Sequence, residues 1–203
     1  MRETRAPHES KQRLPDAATS VFRAKGYAAS SVDDLCHATG LTKGSFFHHF
    51  KSKGEPALAA AAHFAARADT LFADAPYRAL SDPLDRILGY VDFRKSLLHG
   101  ESASFTCLLG TLVRDTFETN PSPRDARDRF IFGHAAEIAQ YIEDARPRYA
   151  PEATWTAESL ALHIQAVLQG AFVPAKANNG PEAATGCLDR QRRYIEMLFR
   201  RPA

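Results

Sequence analysis

Residues 40–53, Gly-Leu-Thr-Lys-Gly-Ser-Phe-Phe-His-His-Phe-Lys-Ser-Lys, hold the densest group of side chains able to do chemistry in this 203-residue chain. The hydroxyls of Thr42 and Ser45, the ammonium groups of Lys43, Lys51 and Lys53 and the imidazoles of His48 and His49 crowd one short stretch. All of these donate hydrogen bonds to anionic oxygens. Thr42 is also a natural helix N-cap, which adds the free amides of a helix N-terminus to the same set. A metal is a poor reading of the two histidines, because adjacent helical residues point about 100° apart and no Cys, Asp or Glu stands at ligand spacing beside them. The chemistry this group can do is to hold a polyanion.

A polyanion site needs a scaffold that presents it. Phe46 and Phe50, four apart, would anchor one face of a helix and leave Lys43, Ser45, Phe47 and His48 outward, with Gly44 opening the backbone to close approach. Upstream, Ser31 reads as the N-cap of a short helix whose first turn carries Asp33 and Asp34, favourable at the positive end of the helix dipole. Val32, Leu35 and Cys36 would form its buried face and Gly40 its end. Two short helices joined around Thr39-Gly40-Leu41 have the form of a helix-turn-helix, whose second helix enters the DNA major groove with its N-terminal end towards the bases. Leu14, Ala17, Ala18, Val21 and Phe22 give the helix before them, stopped by Gly26. Pro15 fits that helix if it begins about Leu14, with residues 1–12 a flexible basic arm.

Residues 14–58 resemble the DNA-binding domain of the TetR family. The shared pattern is an alanine-rich first helix, a Thr/Ser-Val-x-x-Ile/Leu second helix and a Gly-x-x-Lys-Gly-x-Leu/Phe-Tyr-x-His/Tyr-Phe-x-x-Lys third helix. The resemblance implies double-stranded operator DNA as partner, with Ser31, Thr42, Lys43, Gly44, Ser45, Phe47, His48, His49 and Lys53 as contacts. Phe47 departs from the pattern, since it stands where the family carries tyrosine; its ring can meet a thymine methyl or a sugar but cannot donate to a phosphate.

Composition agrees with this reading. Residues 1–53 carry nine Lys/Arg against five Asp/Glu, whereas the remaining 150 carry 17 against 19. A basic head on a near-neutral body suits a polyanion partner. At 44% hydrophobic the chain can bury a full core. The longest apolar runs are too short to span a membrane, and no apolar leader follows Met1. Three scattered cysteines, Cys36, Cys107 and Cys187, fit a reducing cytoplasm better than a disulfide framework. No Gly-x-Ser-x-Gly elbow, phosphate-cradling glycine loop or His-Glu-x-x-His motif points to an enzyme, a metal or a cofactor.

The expected fold is all-α, about nine helices. Residues 13–54 form the helix-turn-helix domain, and residues 55–203 form a helical ligand-binding and dimerisation domain. Helices are expected over about 55–73, from Ser81-Asp82-Pro83 onward, over 108–117, from Ser122-Pro123 onward, over 157–177 and over 182–200. Pro174 should kink or end the first of the last pair. Leu168-Gln169-Gly170-Ala171-Phe172 and Ala175-Lys176-Ala177 resemble the dimerisation helices of one TetR branch. The resemblance implies a homodimer, with Leu168, Ala171, Phe172, Ile195 and Leu198 at its interface. A small-molecule effector is implied as well. Phe93, Cys107, Phe117, Phe130, His134 and Tyr141 are the candidates to line its pocket, with Arg94, His99 and Arg114 as further polar candidates. Phe105-Thr106-Cys107-Leu108-Leu109-Gly110 is similar to a Gly-Cys-Leu-x-Gly segment of a branch that includes electrophile- and acrylate-responsive regulators, with Thr106 in place of the glycine. Two other classes compete, an enzyme and a helical interaction module; neither explains the cluster from Thr42 to Lys53.

Overall fold

The computed structural model describes the backbone of residues 7–116 and 124–200 and the side chains of residues 14–116 and 131–200. Among the described residues there are ten α-helices, one 3-10 turn and no strands. The helices are α1 (Pro7–Lys25), α2 (Val32–Thr39), α3 (Lys43–His49), α4 (Gly54–Ala73), α5 (Pro83–Ser96), α6 (Ser102–Phe105), α7 (Leu108–Thr116), α8 (Arg124–Tyr149), α9 (Ala157–Asn178) and α10 (Glu182–Leu198). The 3-10 turn covers Pro76–Ala79, between α4 and α5. The helix start expected at Ser122-Pro123 lies outside the described residues, as do the side chains of Phe117 and Phe130.

The chain divides into two compact units, residues 1–69 with 107–127, and residues 70–106 with 128–203. In the first unit α1 packs on α2 and on α7. Its core holds Leu14, Ala18, Phe22, Leu35, Phe46, Leu108, Leu109 and Leu112, each almost without solvent exposure. Burying a side chain of this size contributes about 1.5–3 kcal/mol, so these few residues supply most of what holds three short helices together. In the second unit α10 packs on α9 and α5, and α5 also packs on the 3-10 turn. Leu84, Ile87, Leu88 and Val91 of α5, Ile138 and Ile142 of α8, and Leu160, Ile164, Leu188 and Ile195 of α9 and α10 form that core.

Caps fix most of the helix starts. Asp82 accepts from the amides of Leu84 (2.9 Å) and Asp85 (3.3 Å) ahead of Pro83, and Thr156 accepts from Ser159 (3.1 Å). Pro15 and Pro174 both fall inside helices. α1 begins at Pro7, so Pro15 sits inside the helix and not in its first turn. Pro15 withholds one intrahelical N–H, and its own carbonyl accepts from the Thr19 hydroxyl (2.7 Å). Pro174 does not end α9, which continues to Asn178 and closes with Asn179 in the left-handed region (φ 48°). The residue whose carbonyl the Pro174 ring must clear is Gly170, and a side chain there would meet open space.

Candidate nucleic-acid interface

The first unit builds a helix-turn-helix from a few local rules. Ser31 caps α2 through a reciprocal pair: its hydroxyl oxygen accepts from the Asp34 amide (3.1 Å), and the Asp34 carboxylate accepts from the Ser31 amide (2.9 Å). Lys25 of α1 reaches the same carboxylate at 2.5 Å. The Lys25 bond, then the Ser31 amide and hydroxyl, hold the Asp34 carboxyl down to about 2. Gly40 ends α2 at φ +74°, a left-handed conformation that costs glycine nothing. Thr42 then caps α3, its hydroxyl accepting from the Ser45 amide (3.1 Å).

Once α3 is placed, its faces follow. Phe46 is fully buried, with the rings of Phe47 and Phe50 each 5.4 Å away. Lys43, Gly44, Phe47 and His48 are exposed, while Ser45 and His49 are half-buried. A side chain on Gly44 would meet only the Thr42 hydroxyl at 4.0 Å, so the backbone there lies open. Phe47 exposes 55% of its surface although it is a large apolar ring. A structural core has no use for such a side chain, whereas a thymine methyl does. Lys43 pairs loosely with Asp33 of α2 (2.9 Å), and both side chains are well exposed. Ser31 and Thr42 are exposed as well.

Lys53 is placed otherwise. Its ammonium turns onto the α1–α2 turn, donating to the carbonyls of Tyr27 and Ser30 (both 2.7 Å) and standing 4.3 Å from the centre of the Tyr27 ring. Burial pulls its pKa down, and the nearby Asp115 pushes back. Most of its donor capacity is therefore committed inside the protein.

Asp115 of α7 holds the same turn, and the sequence did not single it out. Its carboxylate accepts from the backbone amide of Tyr27 (2.7 Å) and, more weakly, that of Ala28 (3.4 Å). The turn it holds begins at Gly26, with φ +84°, where an added side-chain carbon would stand only 3.0 Å from the Asp115 carboxylate. Close backbone approach and a left-handed conformation thus coincide at one glycine. A contact across 88 positions leaves no local signal.

The other candidates separate by unit. Cys107 belongs to the first unit, buried at the start of α7, its sulfur accepting from the Gly110 amide (3.3 Å). Arg23 of α1 lies within electrostatic reach of it, and burial pulls the Arg23 pKa down to about 10. Phe93, His134 and Tyr141 gather in the second unit. Phe72 stacks near both Phe93 (5.4 Å) and His134 (4.4 Å), and Tyr77 touches both Phe93 (5.8 Å) and Tyr141 (6.4 Å). Of the polar candidates, Arg94 and His134 are buried, whereas His99 and Arg114 are exposed.

Of the expected dimer residues, Leu168, Ala171, Phe172 and Ile195 are buried inside the second unit and Leu198 is half-buried. Alternation of faces on α9 and α10 turns a different set outward: Leu162, Ala166, Gly170 and Val173 on one helix, and Gly186, Tyr194 and Met197 on the other. The outward stripe of α9 is apolar at helical spacing, whereas that of α10 also carries the exposed Arg190 and Arg193, and periodicity alone does not say which of two apolar faces of α9 is the inner one.

Comparison with known proteins gives this geometry a context. Residues 14–60 match the family of bacterial regulatory proteins, tetR family. The chain is 33% identical over 57 residues to the uncharacterized HTH-type transcriptional regulator YerO of Bacillus subtilis, a stretch covering 28% of this chain and 20% of that one. The match therefore spans only about a fifth of that relative. It is 25% identical over 198 residues to the HTH-type transcriptional repressor NemR of Escherichia coli, covering 93% of this chain and 94% of that one. Among solved structures, a TetR transcriptional regulator from Chloroflexus aurantiacus superposes with a TM-score of 0.80 at 26% identity, over 97% of this chain and 98% of that one.

Proposed function

We propose that this chain is a regulator of the TetR family, a homodimeric repressor that binds a palindromic DNA operator and leaves it when a small ligand binds. The observation that carries the proposal is the outward face of α3. Lys43, the open backbone at Gly44, Phe47 and His48 point away from a helix pinned by Phe46. That is the geometry of a helix that reads base edges with its N-terminal half. Such a protein binds and is not an enzyme; a regulator of bacterial DNA works in the cytoplasm.

The dimer is proposed to form on the outward stripe of α9 and α10. Met197 is 75% and Val173 57% exposed there. Small residues at Ala166, Gly170 and Gly186 allow helices of a second copy to approach closely. Coupling to the ligand is proposed to run where the chain passes between its units, along α4 and through the residues leading into α7. The α7 end of that path carries Asp115 and thereby the turn that α1 and α2 share. Cys107 at the start of α7 is proposed to help sense the effector; normal DNA release by every active inducer in Cys107→Ser would remove that part of the proposal.

Selection from random duplex DNA by the full-length protein tests the function. Enrichment of a palindrome whose half-sites lie about one helical turn apart is expected. A folded protein that enriches no sequence would overturn the proposal in favour of a helical interaction module.

A further inference from the structure

Among the described residues of the second unit, one buried cation has no neutralising partner. Arg94 of α5 is only 8% exposed, and its guanidinium lies 5.0 Å from the centre of the Phe72 ring and 5.9 Å from that of Tyr90. Among the described residues it makes no hydrogen bond and no ion pair. Arginine is seldom buried without a partner, and stacking on rings satisfies none of its five N–H donors. The described groups around it supply no compensating charge. Arg78 and Glu137 neutralise each other at 2.6 Å. Glu137 also accepts from the Tyr141 hydroxyl (2.9 Å). His134, 4.4 Å from Phe72 ring to ring, is kept neutral to about pH 4 by burial and then by the charges of Arg94 and Arg78. A second polar group is also left over: the Tyr77 hydroxyl is buried without a hydrogen-bond partner, in a ring that touches Tyr90 (5.6 Å) and Phe93 (5.8 Å).

We infer that Arg94 anchors an anion site within this aromatic cluster, and that the effector is a small planar organic monoanion, a carboxylate. The inference rests on the ligand-responsive reading above and names its ligand class. One excess positive charge calls for one negative charge. A planar guanidinium matches a carboxylate with two parallel hydrogen bonds, which a neutral amide cannot return. Phe72, Tyr90 and Phe93 supply flat apolar walls for the body of the ligand, and the Tyr77 hydroxyl is a donor or acceptor for a second polar atom.

The test is calorimetric titration of the full-length protein with cinnamate and indole-3-acetate, each against its own amide, cinnamamide and indole-3-acetamide. At least one acid binds at least tenfold tighter than its amide, and Arg94→Gln abolishes the difference while Arg94→Lys keeps part of it. Equal binding of acid and amide overturns the inference, as does absence of binding by either acid. So does an Arg94→Gln protein that keeps the preference. The acid–amide comparison needs no variant, so misfolding of Arg94→Gln leaves it decisive. Release of selected duplex DNA is followed in parallel. An acid preference without DNA release would uphold the anion site and overturn the regulatory reading. Release by neutral compounds alone would do the reverse.

Discussion

At the scale of single residues, the proposed DNA interface assigns binding strength and binding preference to different side chains. Lys43 at the N-terminus of α3 and Phe47 one turn further on face outward, and Lys43 is held only by an exposed ion pair with Asp33. Such a pair is worth about 0–1 kcal/mol, so Lys43→Ala should leave the melting temperature almost unchanged while altering the base preference found in a repeated selection. Phe47→Tyr restores a phosphate donor and should tighten every duplex alike. Lys53 acts from inside. Because its ammonium serves two carbonyls of the α1–α2 turn, Lys53→Met should cost about 1–3 kcal/mol of stability in denaturant unfolding and weaken all DNA sequences together. His134 carries a pH dependence of its own. Its pKa is lowered from 6.5 to about 4 on folding, so the unfolded chain binds the extra proton between those values. Stability from keeping it neutral is full above pH 6.5 and is lost as pH falls towards 4, by up to about 3 kcal/mol. His134→Gln should flatten the acid limb of a stability–pH profile measured by urea unfolding; an unchanged limb would count against this account of the pocket.

Single elements show where local signals suffice. Ser31, Gly40 and Thr42 are read from the sequence as caps and ends of α2 and α3, and the observed hydrogen bonds lie where those roles require them. Asp82-Pro83 opens α5 in the same way. Other features depend on partners far along the chain and leave no local mark. The 3-10 turn at Pro76–Ala79 is one of them, since it is held by packing against α5. There an added carbon on Gly89 would stand 2.8 Å from the Tyr77 side chain. Gly89→Ala should therefore destabilise by about 1–3 kcal/mol in spite of its better helix propensity, as thermal unfolding would show. The inner and outer faces of α9 are ambiguous for a related reason: both are apolar. Only the packing of α10 on α5 shows that Leu168 and Ile195 belong inside while Leu162 and Met197 remain outside. Pro15 was legible as awkward but not as interior, because a helix tolerates the missing bond when flanking turns are strong enough.

For the whole molecule, the DNA-binding proposal fixes how affinity responds to salt and to symmetry. A dimer touching about six phosphates or more should lose roughly 10³-fold in affinity between 50 and 200 mM salt. Met197→Glu places a charge in the proposed apolar contact between copies, and should yield monomers in analytical ultracentrifugation that retain their helical content. Dimers surviving in that variant would move the interface elsewhere. The most direct test of the central claim, that two copies of α3 read two half-sites together, is the affinity for the selected palindrome after half a helical turn of DNA is inserted at its centre. The affinity should fall to the level of non-specific binding, because the insertion carries one half-site to the opposite face of the duplex. An affinity that survives the insertion would contradict the claim.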